Sequence, residues 1–434
     1  MHKILQHRPL RFVFLANIIS MFGSGMNSAG VTWYILQKTH SEMSLGWLLV
    51  LTTLPAMAVL PFSGVLIDRE DRRHIVMLLD AGRALMILMV ALLAIFHPTS
   101  LQLWHVYAMN IVVATGFWMF WPSITALIQE LTPQAEFIHS NTLLMAGVQG
   151  GWLMAGALVG FIYNHVGLGG VLLIDCATYV ISFLCYLAVR SGRQVVARPA
   201  LSAEAAAAKA EGALAHFVHE MREGVRSIQA NRYLRFVGIT WALFLGAMLT
   251  QQVITAPLSD RILHGGAVGY GWMNGGWGVG AFLSTLYTPW LVRRMQPRLA
   301  VAVCMAAMAS GMILAPYTLV IPIAVLVYFA VGSARGAGGV ALSSALMETV
   351  APHFMGRVQN TFYFAGLLMQ LVLGISVGYV AHSYSLTAAF AMVAAVFAIS
   401  FVTSIWPVEK PALPESPVPT IAPAAEPAAE EARV

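Results

Sequence analysis

Twelve times between residues 11 and 406 the chain enters an apolar run of about twenty residues or more, and that recurrence leaves few folds open. The runs are 11–36, 45–67, 75–96, 101–130, 138–163, 169–189, 234–260, 268–292, 299–317, 320–350, 355–381 and 386–406. About twenty residues at 1.5 Å rise cross a hydrocarbon core of about 30 Å, so each run is expected to be a spanning helix. A soluble alternative fails on composition: with 59% hydrophobic and 10% charged residues, too few polar groups exist to cover a surface. The expected fold class is an all-α membrane protein of twelve transmembrane helices.

An even number of spans puts both termini on one side, and lysine and arginine decide which. With the N-terminus in the cytoplasm, 20 of the 24 basic residues lie there. Lys38 and Arg261 face the other side, while Arg83 and Arg335 fall inside the membrane. The net charge of +5 therefore reflects topology and gives no pointer to nucleic acid. The basic stretch Met1 to Arg11 leads into a run without a small-residue cleavage site, so it is expected to be retained. Cys176, Cys185 and Cys304 all lie within apolar runs and have neither disulfide-framework nor zinc spacing.

Two polar segments divide the chain. Residues 1–190 hold the first six spans, 191–233 a linker, 234–406 the second six, and 407–434 a tail of Pro, Ala and Glu expected to be disordered. Within the linker, Leu214, Phe217, Val218, Met221, Val225 and Ile228 recur at helical spacing, which predicts an amphipathic helix on the cytoplasmic membrane surface. The two groups of six are related by a repeat. Asn141-Thr142, Ala146-Gly147, Gly156 and Gly160 return as Asn360-Thr361, Ala365-Gly366, Gly374 and Gly378, and Leu291 to Arg294 echoes Leu66 to Arg69.

The densest charge cluster, Gly64 to Arg73, separates the second and third spans. Each of its six charges would cost roughly 2.5 to 3.5 kcal/mol at the centre of a bilayer, so a tight aqueous loop is expected. Gly64, Asp68, Arg69, Arg72 and Arg73 resemble the signature loop of the major facilitator superfamily of transporters. Asp71 stands where that family usually carries a second Gly. The resemblance implies the major facilitator fold, two six-helix halves, and a conformational latch in which Asp68 and Arg69 hold the loop to a neighbouring helix. In the fifth span Gly147, Gly156 and Gly160 resemble the start of the antiporters' glycine motif, which then lapses at Phe161-Ile162. Small residues also simply let helices approach closely, and both readings stay open. Phe14 to Asn17, Leu54-Pro55, the charged loop and Asp80 to Arg83 most resemble the bacterial efflux branch that includes macrolide and siderophore exporters.

That resemblance implies a secondary active transporter in the bacterial inner membrane, multi-pass, with both termini cytoplasmic. It would export an amphipathic small organic molecule by alternating access in exchange for protons, and an importer or lipid-translocating carrier is the alternative. A receptor or scaffold would need a larger soluble domain than the linker offers. No P-loop, CxxC, HExxH or GxSxG occurs, so no enzyme chemistry, cofactor or metal is expected. The expected partners are a small-molecule substrate, a proton or other ion gradient and the lipid bilayer, with the chain acting as a monomer.

Intramembrane ionisable groups are functional candidates by default. Asp80 and Arg83, three apart on the third span, either neutralise one another structurally or relay protons. Asp175, in the outer half of its span, and Asp260, near the outer end of its own, are either protonation sites or simply solvated, the commoner fate at a helix end. Glu130 and Glu348, at equivalent repeat positions, are expected as gate or cap residues. Asn17, Asn27, Gln251 and Gln252, with Trp118, Trp121, Trp272 and Trp277, either line a substrate cavity or serve helix packing and interfacial anchoring; Asn27, Trp118, Gln251 and Arg335 are the leading candidate substrate-cavity residues. Arg335 lies amid Gly332, Gly336, Gly338 and Gly339, either as an anion or substrate contact or in a structural ion pair.

Overall fold

The computed structural model describes residues 7–69, 71–132, 136–189, 213–350 and 355–406; for 60–69, 137, 138, 141, 142, 213, 214, 216 and 356 it gives the backbone alone. The expected tail and most of the linker lie outside the described residues.

Pro9 in its first turn opens α1, Arg8–Thr39, which ends where His40 turns left-handed at φ 47°. After α2, Glu42–Arg69, comes α3, Arg72–Phe96, then α4, Leu103–Leu131. The ten-residue polar interruption is thus mostly helical, because α2 continues through Arg69. Asp71 explains how the turn is made without the second Gly: its backbone is extended and its carboxylate accepts the Arg73 N–H at 2.9 Å, capping α3.

The helix α5, Phe137–Leu187, has 51 residues, about 75 Å at 1.5 Å each and far beyond one bilayer crossing. Gly167, at φ 62° and ψ −169°, breaks it into two limbs. Both limbs flank α1: a methyl group on Gly30 would touch Val171 at 2.9 Å and Val159 at 3.8 Å.

In the second half, α6, Ala213–Ala230, is strongly amphipathic and packs on α2 and α12 without crossing. Asn231 caps α7, Arg232–Thr250, by accepting the Leu234 N–H. That helix continues into α8, Gln252–Pro257, and a π-helical turn, Leu258–Ile262. Then follow α9, Gly266–Met295, α10, Pro297–Leu314, α11, Ile321–Met347, α12, Met355–Ser383, and α13, Leu386–Ile405.

Among the described residues ten helical segments are long and apolar enough to cross a membrane. One of these, Leu143–Leu187, crosses twice because of the Gly167 break, and the glycine-rich α9 makes the twelfth crossing. The fold is all-α, twelve transmembrane helices in two six-helix halves. In the first, α5 packs on α1 and α3; in the second, α11 packs on α9 and α10, and α7 on α12 and α13. The halves meet along two seams, α5 with α9 and α2 with α12. The end of the bundle where α1 starts and α13 stops is here the linker end; the opposite one, with the α1–α2 turn, is the distal end.

Candidate functional site

Inside the first half, α1, α3, α4 and α5 enclose a polar network. Asp80 and Arg83, both fully buried, form an ion pair between the Arg83 guanidinium and Asp80 Oδ1. Ser182 donates to Asp80 Oδ2 at 2.6 Å, and Arg83 donates to the Tyr179 hydroxyl at 3.3 Å, itself 2.8 Å from Ser24 Oγ. The guanidinium lies over the rings of Tyr179 and Phe120, 4.3 and 4.9 Å from their centroids. Gly116 makes the room, since a methyl group there would come within 2.8 Å of Arg83 Cδ. That network reaches α1 at Ser24; one turn up α5 from Tyr179 a second buried group joins α1, where the Asn27 amide donates to Asp175 Oδ2 at 2.6 Å and the Thr178 hydroxyl donates to the Asp175 carbonyl at 2.7 Å. Asp175, in the distal half of α5's second limb, is fully buried rather than solvated, the commoner fate expected for it from the sequence. Of the two carboxylates, Asp80 pairs with Arg83 and Asp175 with Asn27.

Between the halves, toward the distal end, a groove is lined by Ser28, Thr32, Leu48, Thr52, Asn110 and Gln252. Of the expected cavity residues Gln252 lines it, while Asn27 and Gln251 lie one position away from lining residues. Asn27 turns to Asp175 while Ser28 lines the groove, and Gln251 is buried while Gln252 lines it. One residue is about 100° around a helix, enough to change the face. Trp118 is half-buried and meets Tyr363 of the other half edge-on at 5.7 Å.

Arg335, half-buried near the middle of α11, lies one turn below the groove. Its Nε donates to Met248 Sδ at 3.1 Å, and Met248 stands one turn from Gln252 on the same face of α7–α8. Its guanidinium carbon sits 4.7 Å from the centre of the Trp277 ring. The surrounding glycines do not all leave space: Gly332 and Gly336 press on the backbone and side chains of α9, and Gly338 on α10, whereas Gly339 alone opens onto free room.

At the distal end the two seams close by glycine backbone contact. A methyl group on Gly160 would lie 2.9 Å from Gly271 Cα, and one on Gly378 3.3 Å from Gly46 Cα. Gly156 meets Asn274 and Gly374 meets Leu49, at 3.1 and 2.9 Å by the same measure. These positions are repeat equivalents, 218 residues apart in α5 and α12 and 225 apart in α2 and α9. Gly147 instead packs within its own half, on Ile18 and Asn17. Trp33 stacks on Tyr270 across the first seam at 5.9 Å. A charge clamp that sequence reasoning missed closes the second. Arg261, on the π-helical turn, lies 2.7 Å from the buried Glu42 carboxylate and donates to the His40 carbonyl at 2.7 Å, while His382 Nδ1 stands 3.7 Å from Glu42. The signal was present: Arg261 and Glu42 are among the few charges flanking the distal turns.

At the linker end the side chains of Gly64, Asp68 and Arg69 lie outside the described residues. Arg72 donates to the Ala126 carbonyl at 3.1 Å and pairs with Glu130 at 3.6 Å, tying α3 to α4. Arg73 donates to the Tyr186 and Leu187 carbonyls at 2.7 and 3.1 Å, capping α5. Arg298, 225 positions on, does the same for α13 at Ser404 and Trp406. Glu348 is the C-cap residue of α11. Among the described residues no three His, Cys, Asp or Glu side chains gather as a metal centre would require.

Residues 13–374 match the family described as Major Facilitator Superfamily. The chain belongs to the Major Facilitator Superfamily. Among members of the superfamily it is 21% identical to the MFS-type transporter YkuC of Bacillus subtilis, over 82% of each chain. It is 23% identical to the multidrug efflux pump Tap of Mycolicibacterium fortuitum, covering 84% of this chain and 88% of that one. Against macrolide efflux protein A of Streptococcus pyogenes the identity is 21% over 58% of this chain and 59% of the relative. The fold of this superfamily member resembles a bacterial homologue of the iron transporter ferroportin in its inward-facing state, at TM-score 0.73 and 13% identity over 92% and 98% of the two chains. The nucleoside transporter NupG matches at TM-score 0.70 and 14% identity over 92% and 99%.

Proposed function

We propose that this chain is a secondary active exporter of an amphipathic small organic molecule, working by alternating access in exchange for protons. The observation that carries the reading is the groove between the halves, polar along Ser28, Thr32, Thr52, Asn110 and Gln252, closed distally by seams of glycine contact. Backbone-to-backbone seams separate without unlocking interdigitated side chains, so they suit a rocking of one half on the other. Export draws support from the efflux names of distant relatives and from the partial glycine motif of α5, whose Gly156 and Gly160 lie on a seam.

In this reading the linker end faces the cytoplasm of a bacterial inner membrane. Asp68 and Arg69, at the end of α2, complete a latch with Arg72 and Arg73, so Asp68→Asn should cut transport several-fold while the protein stays in the membrane. The two buried groups together hold two carboxylates and one guanidinium, and uptake of one proton leaves them neutral, which makes Asp80 with Arg83 the proposed coupling site and Asp175 its neighbour. The test is accumulation of a macrolide and of a set of fluorescent dyes in cells with and without the chain. Lower accumulation that a protonophore restores is the expected result; higher accumulation would make the chain an importer.

A further inference from the structure

Two arginines lie inside this membrane bundle, and the protein treats them differently. Arg83 is enclosed with Asp80 in one network, and Asp175 lies one turn along α5 from its partner Tyr179. Arg335 has no carboxylate beside it among the described residues; its hydrogen-bond acceptor there is the Met248 sulfur, a weak one. A guanidinium does not shed its proton to escape this position, so its charge must be balanced from elsewhere. A second donor points the same way: Nε1 of Trp277, the ring over which Arg335 lies, is buried and has no acceptor among the described residues. The guanidinium offers paired planar donors, the arrangement that oxyanions take, and the indole N–H is a second unsatisfied donor next to it. Space exists for such a group, since Gly339, one turn from Arg335, opens onto free room and the groove begins one turn above Met248.

We infer that the transported molecule is an organic anion: an oxyanion carried on an aromatic or otherwise apolar body, with Arg335 holding the charge and the Trp277 N–H donating to its second oxygen. The inference rests on the export reading above and narrows it. Trp277 and Met248 supply the apolar and polarisable wall against which the body packs. A cationic drug would face an uncompensated guanidinium one turn below the groove and no carboxylate among the groove's described lining residues, so the site discriminates against it.

The experiment loads cells with carboxyfluorescein through its neutral ester, or with ethidium, and follows the loss of each dye. Cells carrying the chain should lose carboxyfluorescein at least fivefold faster than cells without it, with no acceleration for ethidium. Arg335→Gln should return carboxyfluorescein to the control rate, Arg335→Lys should keep part of the acceleration because it keeps the charge, and Trp277→Phe, which keeps the ring and loses the N–H, should lose a few-fold. Membrane levels of each variant are measured by immunoblot, and Trp277→Phe and Arg335→Lys guard against a folding defect in Arg335→Gln. Carboxyfluorescein loss that is equal with and without the chain, or unchanged in Arg335→Gln, overturns the anion site. Accelerated ethidium loss alongside either result leaves export standing and removes only the anion.

Discussion

Arg83 is held by the Asp80 carboxylate, the Tyr179 hydroxyl, the Leu79 carbonyl and two aromatic faces, so nothing in its surroundings can follow if one partner is removed. Asp80→Asn leaves a buried guanidinium short of its carboxylate, a change that costs about 3 to 5 kcal/mol where such pairs are broken. The expected outcome is a lower thermal unfolding temperature of the purified protein together with loss of pH-gradient-driven transport in proteoliposomes, while slow exchange down the substrate gradient persists. A variant that still responds to an imposed pH gradient would move the coupling away from Asp80. Ser182→Ala, which removes one neutral donor to the same carboxylate, should cost only about 1 kcal/mol. At this scale the sequence was legible in kind and misleading in register. It marked Asp80 with Arg83, and it marked Asn27 and Gln251 as polar positions in apolar helices. Which of two adjacent residues faces the groove depends on how the helix is rotated against its neighbours, and a run apolar on all sides carries no stripe to set that rotation. The burial of Asp175 was hidden for a related reason, since it depends on the α1 residue, Asn27, that its limb packs against.

Among the elements, the two arginine-capped helix ends are a matched pair. Arg73 closes the carbonyls at the end of α5 and Arg298 those at the end of α13. Either residue changed to alanine strips a charged donor from a helix terminus, for which a loss of about 1.5 to 3 kcal/mol is expected, read as a drop in chemical or thermal unfolding midpoint. The seams make a sharper prediction. Valine at Gly160 or at Gly46 places branched carbons where backbone atoms of α9 or α12 already stand, so the distal closure cannot form. A cysteine at Thr32 in the groove should then react several-fold faster with a membrane-impermeant maleimide added from the distal side; unchanged labelling would mean that the seam does not gate the groove. The twelve spans themselves were plain in the sequence because hydrocarbon admits little else. Hidden from it were the continuation of α2 through a charged stretch and the π-helical turn that aims Arg261 at Glu42 and His40, partners distant in the chain.

For the whole molecule, the clamp of Glu42, Arg261 and His382 is the polar link that holds the distal end shut across the halves. Glu42→Gln removes its charge and should shift the balance of the two access states by about 1 to 2 kcal/mol, roughly 5- to 30-fold in their ratio. The measurement is the distance between spin labels placed on the distal turns of the two halves, with the reversed pair Glu42→Arg, Arg261→Glu expected to restore the closed population. No lengthening in Glu42→Gln would leave the closure to the glycine seams and the Trp33–Tyr270 stack.

The repeat gives those seams a history. If the two halves descend from one shorter chain that paired with itself, the contacts of Gly160 with Gly271 and of Gly378 with Gly46 were once a single contact seen twice across a dyad, and any mutation struck both copies together. Fusion ended that bondage. The repeat equivalent of Glu42 is Ala267, so the charge clamp grew on one side of the former dyad and has no counterpart on the other. A self-paired ancestor had to open evenly; its fused descendant carries one bare seam and one bolted one, and can open by a preferred side.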